Sequence, residues 1–248
     1  MNGKAGSRGF TLVEMSIVLV IIGLIIGGIL KGQEIIATAR QKAVINQVNA
    51  VRAAANTYFD RYRSLPGDDP TAKTALDSNL NNGDGNGALE STAGTANGIA
   101  DDVSGSLENY TFFNALVAAN LLNGGQVTAS SAAVPANLKF GITALPASPI
   151  SGAGLTVVYA QHSGDGVGAT SVTTHWLRVQ KSPTTPGNSV SPRTLANIDT
   201  QTDDGLPYTG GVREDSLAAT CPAAVAGAGV KYLASDNVTC VPVFVITQ

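Results

Sequence analysis

The sequence predicts an α+β protein: one long N-terminal helix packed against a small antiparallel β-sheet. Three observations carry that expectation. An unbroken apolar run opens the chain, a stripe of apolar residues at helical spacing continues it, and β-branched runs bounded by turn residues occupy the C-terminal part.

The opening run, Phe10 to Leu30, is 21 residues with one charge, Glu14. A helix of that length spans about 31 Å, close to the thickness of a bilayer's hydrocarbon core. A cleaved secretory signal is the competing reading, because Ala37–Ala39 mimics a cleavage site. The apolar run is too long for such a signal, however, and Lys31 and Glu34 intervene before the cut. Charge gives no orientation, since Lys4 and Arg8 flank one side and Lys31, Arg40 and Lys42 the other.

The helix is expected to continue. Val44, Val48, Val51, Ala55, Tyr58 and Tyr62 step by four and three residues and so share one stripe, with Gln41, Lys42, Asn46, Asn49, Arg52 and Asn56 beside it. Pro66 supplies the stop. The result is a helix of roughly 54 residues that begins as a membrane span and finishes as an amphipathic spine. The expected organisation is a leader at 1–9, a transmembrane helix at 10–30, a spine at 31–65 and an exported head at 66–248.

Composition agrees with an exported head. Of 248 residues, 44% are hydrophobic, enough for a core, but only 13% are charged and 28 are glycine. That balance suits a loop-rich surface domain better than a helical cytosolic enzyme. Net charge is −3. Residues 31–63 are basic, whereas from Ser64 onward fifteen acidic residues face seven basic ones. The basic stretch lacks clustered Arg/Lys and interleaved aromatics, so nucleic acid is not an expected partner.

At "GFTLVEMSIVLVIIGLI" the chain resembles the cleavage and methylation signature of type IV prepilins and the related pseudopilins. Those proteins carry a short basic leader ending in Gly, then Phe, then an apolar helix with Glu at its fifth position. Here Gly9 precedes the cut, Phe10 follows it and Glu14 is fifth. The resemblance implies that a prepilin peptidase cuts between Gly9 and Phe10 and methylates the new amine. It also implies a leader in the cytoplasm and a head outside the bacterial inner membrane, then in an extracellular or periplasmic filament. The partners it implies are other pilin subunits, the peptidase and an inner-membrane assembly platform. Glu14 would meet the Phe10 amine of a neighbouring subunit, since a carboxylate in an apolar setting must be paired or neutralised. The fold so implied is pilin-like. Two alternatives stay open: a type II secretion pseudopilin, and a single-pass anchored binding or adhesion domain.

In the head, residues 67–105 are rich in Gly, Asn, Asp and Ser and read as a long loop. "SLENYTFFNALVAANLLNGG" reads as a helix from about Ser106 to Asn123, capped by Ser106 and ended by Gly124 and Gly125. Residues 154–162 and 173–180 read as a strand hairpin. Residues 230–235 and the run ending in "VPVFVI" flank a turn at Asp236–Asn237, and Pro242 suggests an edge position for the last strand. Cys221 and Cys240 show no zinc spacing; in an exported domain a disulfide between them would close a loop of about 20 residues, worth roughly 3 kcal/mol.

Two segments qualify for calcium. "NGDGNG" places Asn82, Asp84 and Asn86 alternately before Gly87, like the first half of an EF-hand loop. Its twelfth position is Ala93, and Glu90 is the substitute ligand. Asp199, Asp203 and Asp204 form the second, and some pseudopilins hold calcium in a late head-domain loop. Turns without metal are the competing reading for both. No enzyme is expected: the two histidines, His162 and His175, lie in or beside strands, and "HSGD" gives sequence adjacency without triad geometry.

Overall fold

A computed structural model describes residues 11–89, 108–123, 127, 139–150, 152–162, 172–183, 189–215, 232 and 240–246. Helix α1, Leu12–Tyr62, is a single 51-residue helix. The chain nevertheless divides into two units, with the boundary between Arg40 and Gln41.

In the first unit no described residue is buried. Its apolar window has a mean hydropathy of 2.6, long and apolar enough to cross a membrane. One exposed ion pair, Lys31 to Glu34 at 2.6 Å, follows the apolar run; exposed pairs of this kind add little stability.

In the second unit the same helix is a spine. Val44, Val48, Val51, Ala55 and Tyr58 are all buried, and Tyr62 packs on the same core half-covered. The predicted stripe is therefore the buried face. The spine ends three residues before its expected limit. Arg63 adopts a left-handed φ of 58°, and its N–H closes on the Phe59 carbonyl at 2.8 Å, so the helix is finished before Pro66 is reached.

A four-residue helix, α2 (Ala72–Ala75), interrupts the expected loop, and α3 covers Glu108–Ala118. Its end is earlier than the glycine pair suggested. Asn120 takes φ 54°, while Leu121 N–H bonds to Leu116 O and Asn120 N–H to Val117 O. Those two bonds are a Schellman stop, for which asparagine is the usual substitute for glycine. Ser106, the expected cap, lies outside the described residues. Phe112, Phe113 and Leu116 are buried, and Val117 and Leu121 pack on the same core half-covered. Strands β1 (Gly154–His162) and β2 (Val172–Gln180) pair antiparallel along their full length.

The rest of the sheet differs from expectation. Helix α4 (Pro192–Thr202) and strand β3 (Val212–Glu214) precede β4 (Pro242–Val245), and the strand order is β1-β2-β4-β3, antiparallel throughout. β4 is thus an interior strand. Pro242 is tolerated because it is the strand's first residue, paired only with Glu214; the ladder with β2 begins one residue later, at Val243. The turn at Asp236–Asn237 lies outside the described residues. Each face of the sheet is covered. Leu155, Val157, Leu177 and Val179 join the main core with α1, α3 and α4, while Val158, Ala160, Trp176 and Val243 form a smaller cluster.

Candidate functional site

The start of α1 is organised by its own side chains. Thr11 Oγ1 accepts the Glu14 N–H at 3.2 Å, and Glu14 Oε2 accepts both the Thr11 N–H and hydroxyl at 2.9 Å. This is a capping box, in which two unpaired donors at a helix N-terminus are satisfied reciprocally. Glu14 therefore has a local function that the charge argument missed, although "TLVE" carries the signal in plain view. Only Oε2 is engaged; Oε1 has no partner among the described residues. Gly9 and Phe10 lie outside the described residues.

The first calcium candidate is redistributed by the fold. Asn82 Oδ1 accepts the Lys73 N–H of α2 and Asn86 Oδ1 the Ala88 N–H of its own turn, at 2.8 and 2.7 Å, so each amide oxygen already has a partner within the fold. Asp84 instead meets Asp68 and Glu108, with a carboxylate oxygen of each within 4.8 Å of the others. Asp68 is buried, and its two oxygens accept Gly85 N–H at 2.7 Å and Gly87 N–H at 2.8 Å. Burial holds its pKa above the ordinary carboxylate value, against those two amides. Glu90 lies outside the described residues. Asp68 and Glu108 are 40 positions apart, a separation that no local pattern bridges.

The fold brings the three residues of the second candidate together. Asp199, Asp203 and Asp204 each offer an oxygen within 4.8 Å of the others. Asp199 sits in α4, whose start is set by Ser191, which accepts the Thr194 N–H, and by Pro192 at the first position. Asp199 is fully buried, and its Oδ2 accepts the Tyr232 hydroxyl at 2.8 Å. Burial pushes its pKa up to about 7; the Tyr232 hydroxyl and Gly205 N–H oppose the rise, and the Asp204 and Asp203 charges add to it. A cluster of three carboxylates, one of them buried, offers hard oxygen donors of the kind that can hold a divalent cation such as calcium. Asp203 and Asp204 also brace the following loop, Asp203 accepting Gly211 and Val212 N–H and Asp204 the Leu206 N–H.

Cys240 is fully buried and no described cysteine is a free thiol; Cys221 lies outside the described residues. His175 is buried, with Nε2 accepting the Leu89 N–H at 3.2 Å, and burial lowers its pKa to about 4. It is a neutral core histidine. No local pattern announced the buried pair of Arg178, on strand β2, and Asp215, the residue after β3, at 2.7 Å.

An exposed apolar helix, opened by a Thr/Glu capping box and preceded in sequence by Lys4, Arg8 and Gly9-Phe10, fits the class of membrane-anchored chains. Residues 4–30 match the prokaryotic N-terminal methylation motif, the prepilin and pseudopilin signature. That motif is a processing signature and not an enzyme family. No curated protein and no solved structure matches the chain.

Proposed function

We propose that this chain is a structural subunit of a type IV pilus-like filament, cut between Gly9 and Phe10 by a prepilin peptidase and assembled through its N-terminal helix. One observation carries the reading: Glu14 stands one turn into a wholly exposed apolar helix with an oxygen to spare. The capping box holds Oε2, and Oε1 is free to receive the methylated amine of a neighbour's Phe10. Apolar burial between helices then drives packing, and a head-to-tail contact of this kind generates an open helical polymer. Before assembly the helix is a membrane anchor with the head in the periplasm. Within the head, Cys240 is proposed to pair with Cys221.

The Asp199–Asp203–Asp204 cluster favours a second reading, a type II secretion pseudopilin whose late loop binds calcium. Those three carboxylates would hold the ion, which would offset their mutual repulsion and pin the loop that follows α4.

Glu14→Gln separates the capping and pairing roles, because glutamine still accepts at the N-terminal turn but carries no charge. The expected outcome is normal membrane insertion with loss of subunits from sheared surface filaments, scored by immunogold labelling. Filaments at the normal level in Glu14→Gln would sink the pairing role. An unchanged N-terminus in cells lacking the peptidase, with surface function retained, would return the chain to an anchored adhesion domain.

A further inference from the structure

A cavity of about 850 Å³ opens on the head, within the size range of small-ligand sites. One wall is α1, which lends Arg52, Asn56, Phe59 and Arg63. Their spacing of four, three and four residues puts them in one stripe beside the buried face. The other walls include Leu65, Val245 and Ile246, which are apolar.

The charges lining it are Arg52, Arg63, Asp68 and Asp203, with neutral His175. Most are already engaged. Asp68 is held by Gly85 and Gly87 N–H, Asp203 by Gly211 and Val212 N–H, and Arg52 donates from Nε to Val245 O at 2.7 Å while Asp203 attracts it. Arg63 makes no ion pair or side-chain hydrogen bond among the described residues, and neither does the Asn56 amide. Phe59 is 45% exposed; among the described residues from Gln41 onward only Ile142 is another large apolar side chain left so open.

The backbone supplies a second, independent sign. Arg63 occupies a left-handed position at the helix end, φ 58°, where glycine or asparagine is the ordinary choice. An arginine held there is strained, and such strain gathers at functional sites.

We propose that the cavity binds a ligand with one carboxylate on an apolar body. The Arg63 guanidinium takes the carboxylate through two parallel N–H bonds, the Asn56 amide adds a donor, and Phe59 with Leu65 and Ile246 covers the apolar part. A peptide C-terminus and a small free acid share this chemistry. The inference is independent of whether the chain assembles into filaments.

The test titrates the detergent-solubilised full chain with 3-phenylpropionate and with N-acetyl-Phe-Leu, each against its primary amide, by calorimetry. Saturable binding is expected, at least tenfold tighter for the acid than for its amide; whichever acid binds more tightly identifies the source. Arg63→Gly is expected to weaken binding at least tenfold while the melting temperature holds or rises, because glycine relieves the backbone. Arg63→Asn serves as a second variant with the same tolerance, and Phe59→Ala should weaken the apolar contact. Absence of saturable binding to either acid, equal affinity for the amides, or unchanged affinity in both Arg63 variants overturns the proposal.

Discussion

The two halves of helix α1 share one secondary structure and opposite physics. Leu12 to Leu30 is exposed on every side and, apart from Glu14 and Ser16, carries only apolar side chains and glycine. Gln41 to Tyr62 carries its main apolar stripe on one face, and that stripe is buried. An amphipathic helix finds its partner within its own chain, whereas a helix apolar all round needs lipid or other helices. The helix is thus divided near Arg40, with an exposed apolar half on one side and a half buried in the chain's own core on the other.

That contrast can be broken most directly with a buried charge. Val51→Asp places an unpaired carboxylate against a core residue with no exposure, and is expected to cost the head about 3–5 kcal/mol or prevent its folding. Ile22→Asp, in the exposed apolar half, should leave head melting unchanged and impair membrane insertion and assembly. Thermal melting of both variants in detergent checks the pair; equal destabilisation would dissolve the division.

A smaller effect is expected at Tyr58, which is fully buried and donates to Asp69 Oδ2 at 2.9 Å, tying the spine to the loop after it. Asp69 Oδ1 accepts the Thr71 N–H and hydroxyl. Tyr58→Phe removes one donor to a buried carboxylate and should cost about 1–3 kcal/mol, read from denaturant unfolding.

The pH dependence follows from Asp199 and Glu214, whose pKa values are raised to about 7 and about 8, mainly by burial. A carboxyl whose folded pKa exceeds its unfolded value, near 4, binds more protons when folded. Its contribution favours folding below pH 4 and is lost as pH rises through 7 and 8. Calcium at Asp199, Asp203 and Asp204 should therefore raise the melting temperature at pH 8 and much less at pH 5. An equal shift at both values, or none, would remove the cation from the account.

The smallest expected effect is at the helix start. Thr11→Ala deletes one side of the capping box and should cost about 1 kcal/mol of local helix stability, visible as faster amide exchange over the first turn and unchanged melting of the head.

Much of this was legible in advance because it is periodic. The spine's 3.6-residue stripe and the alternation in β1 and β2 are local patterns repeated often enough to stand out. Strand β3, three residues long, offers no period to detect, and β4's interior place depends on where the β2 ladder begins. Helix α4 had signals, Ser191-Pro192 as a start and Leu195 with Ile198 as a buried face, but its polar surface hid them. Of the acidic clusters, the one within Asp199–Asp204 is contiguous and was readable. The Asp68–Asp84–Glu108 cluster is made by the fold, and no spacing in the chain announces it.

The central claim is that the apolar half of α1 is a temporary anchor destined for a polymer. Mass spectrometry of the N-terminal peptide from sheared surface filaments tests it most directly. The account predicts a chain that begins at a methylated Phe10. Recovery of the chain only in the membrane fraction, still carrying residues 1–9, would contradict it.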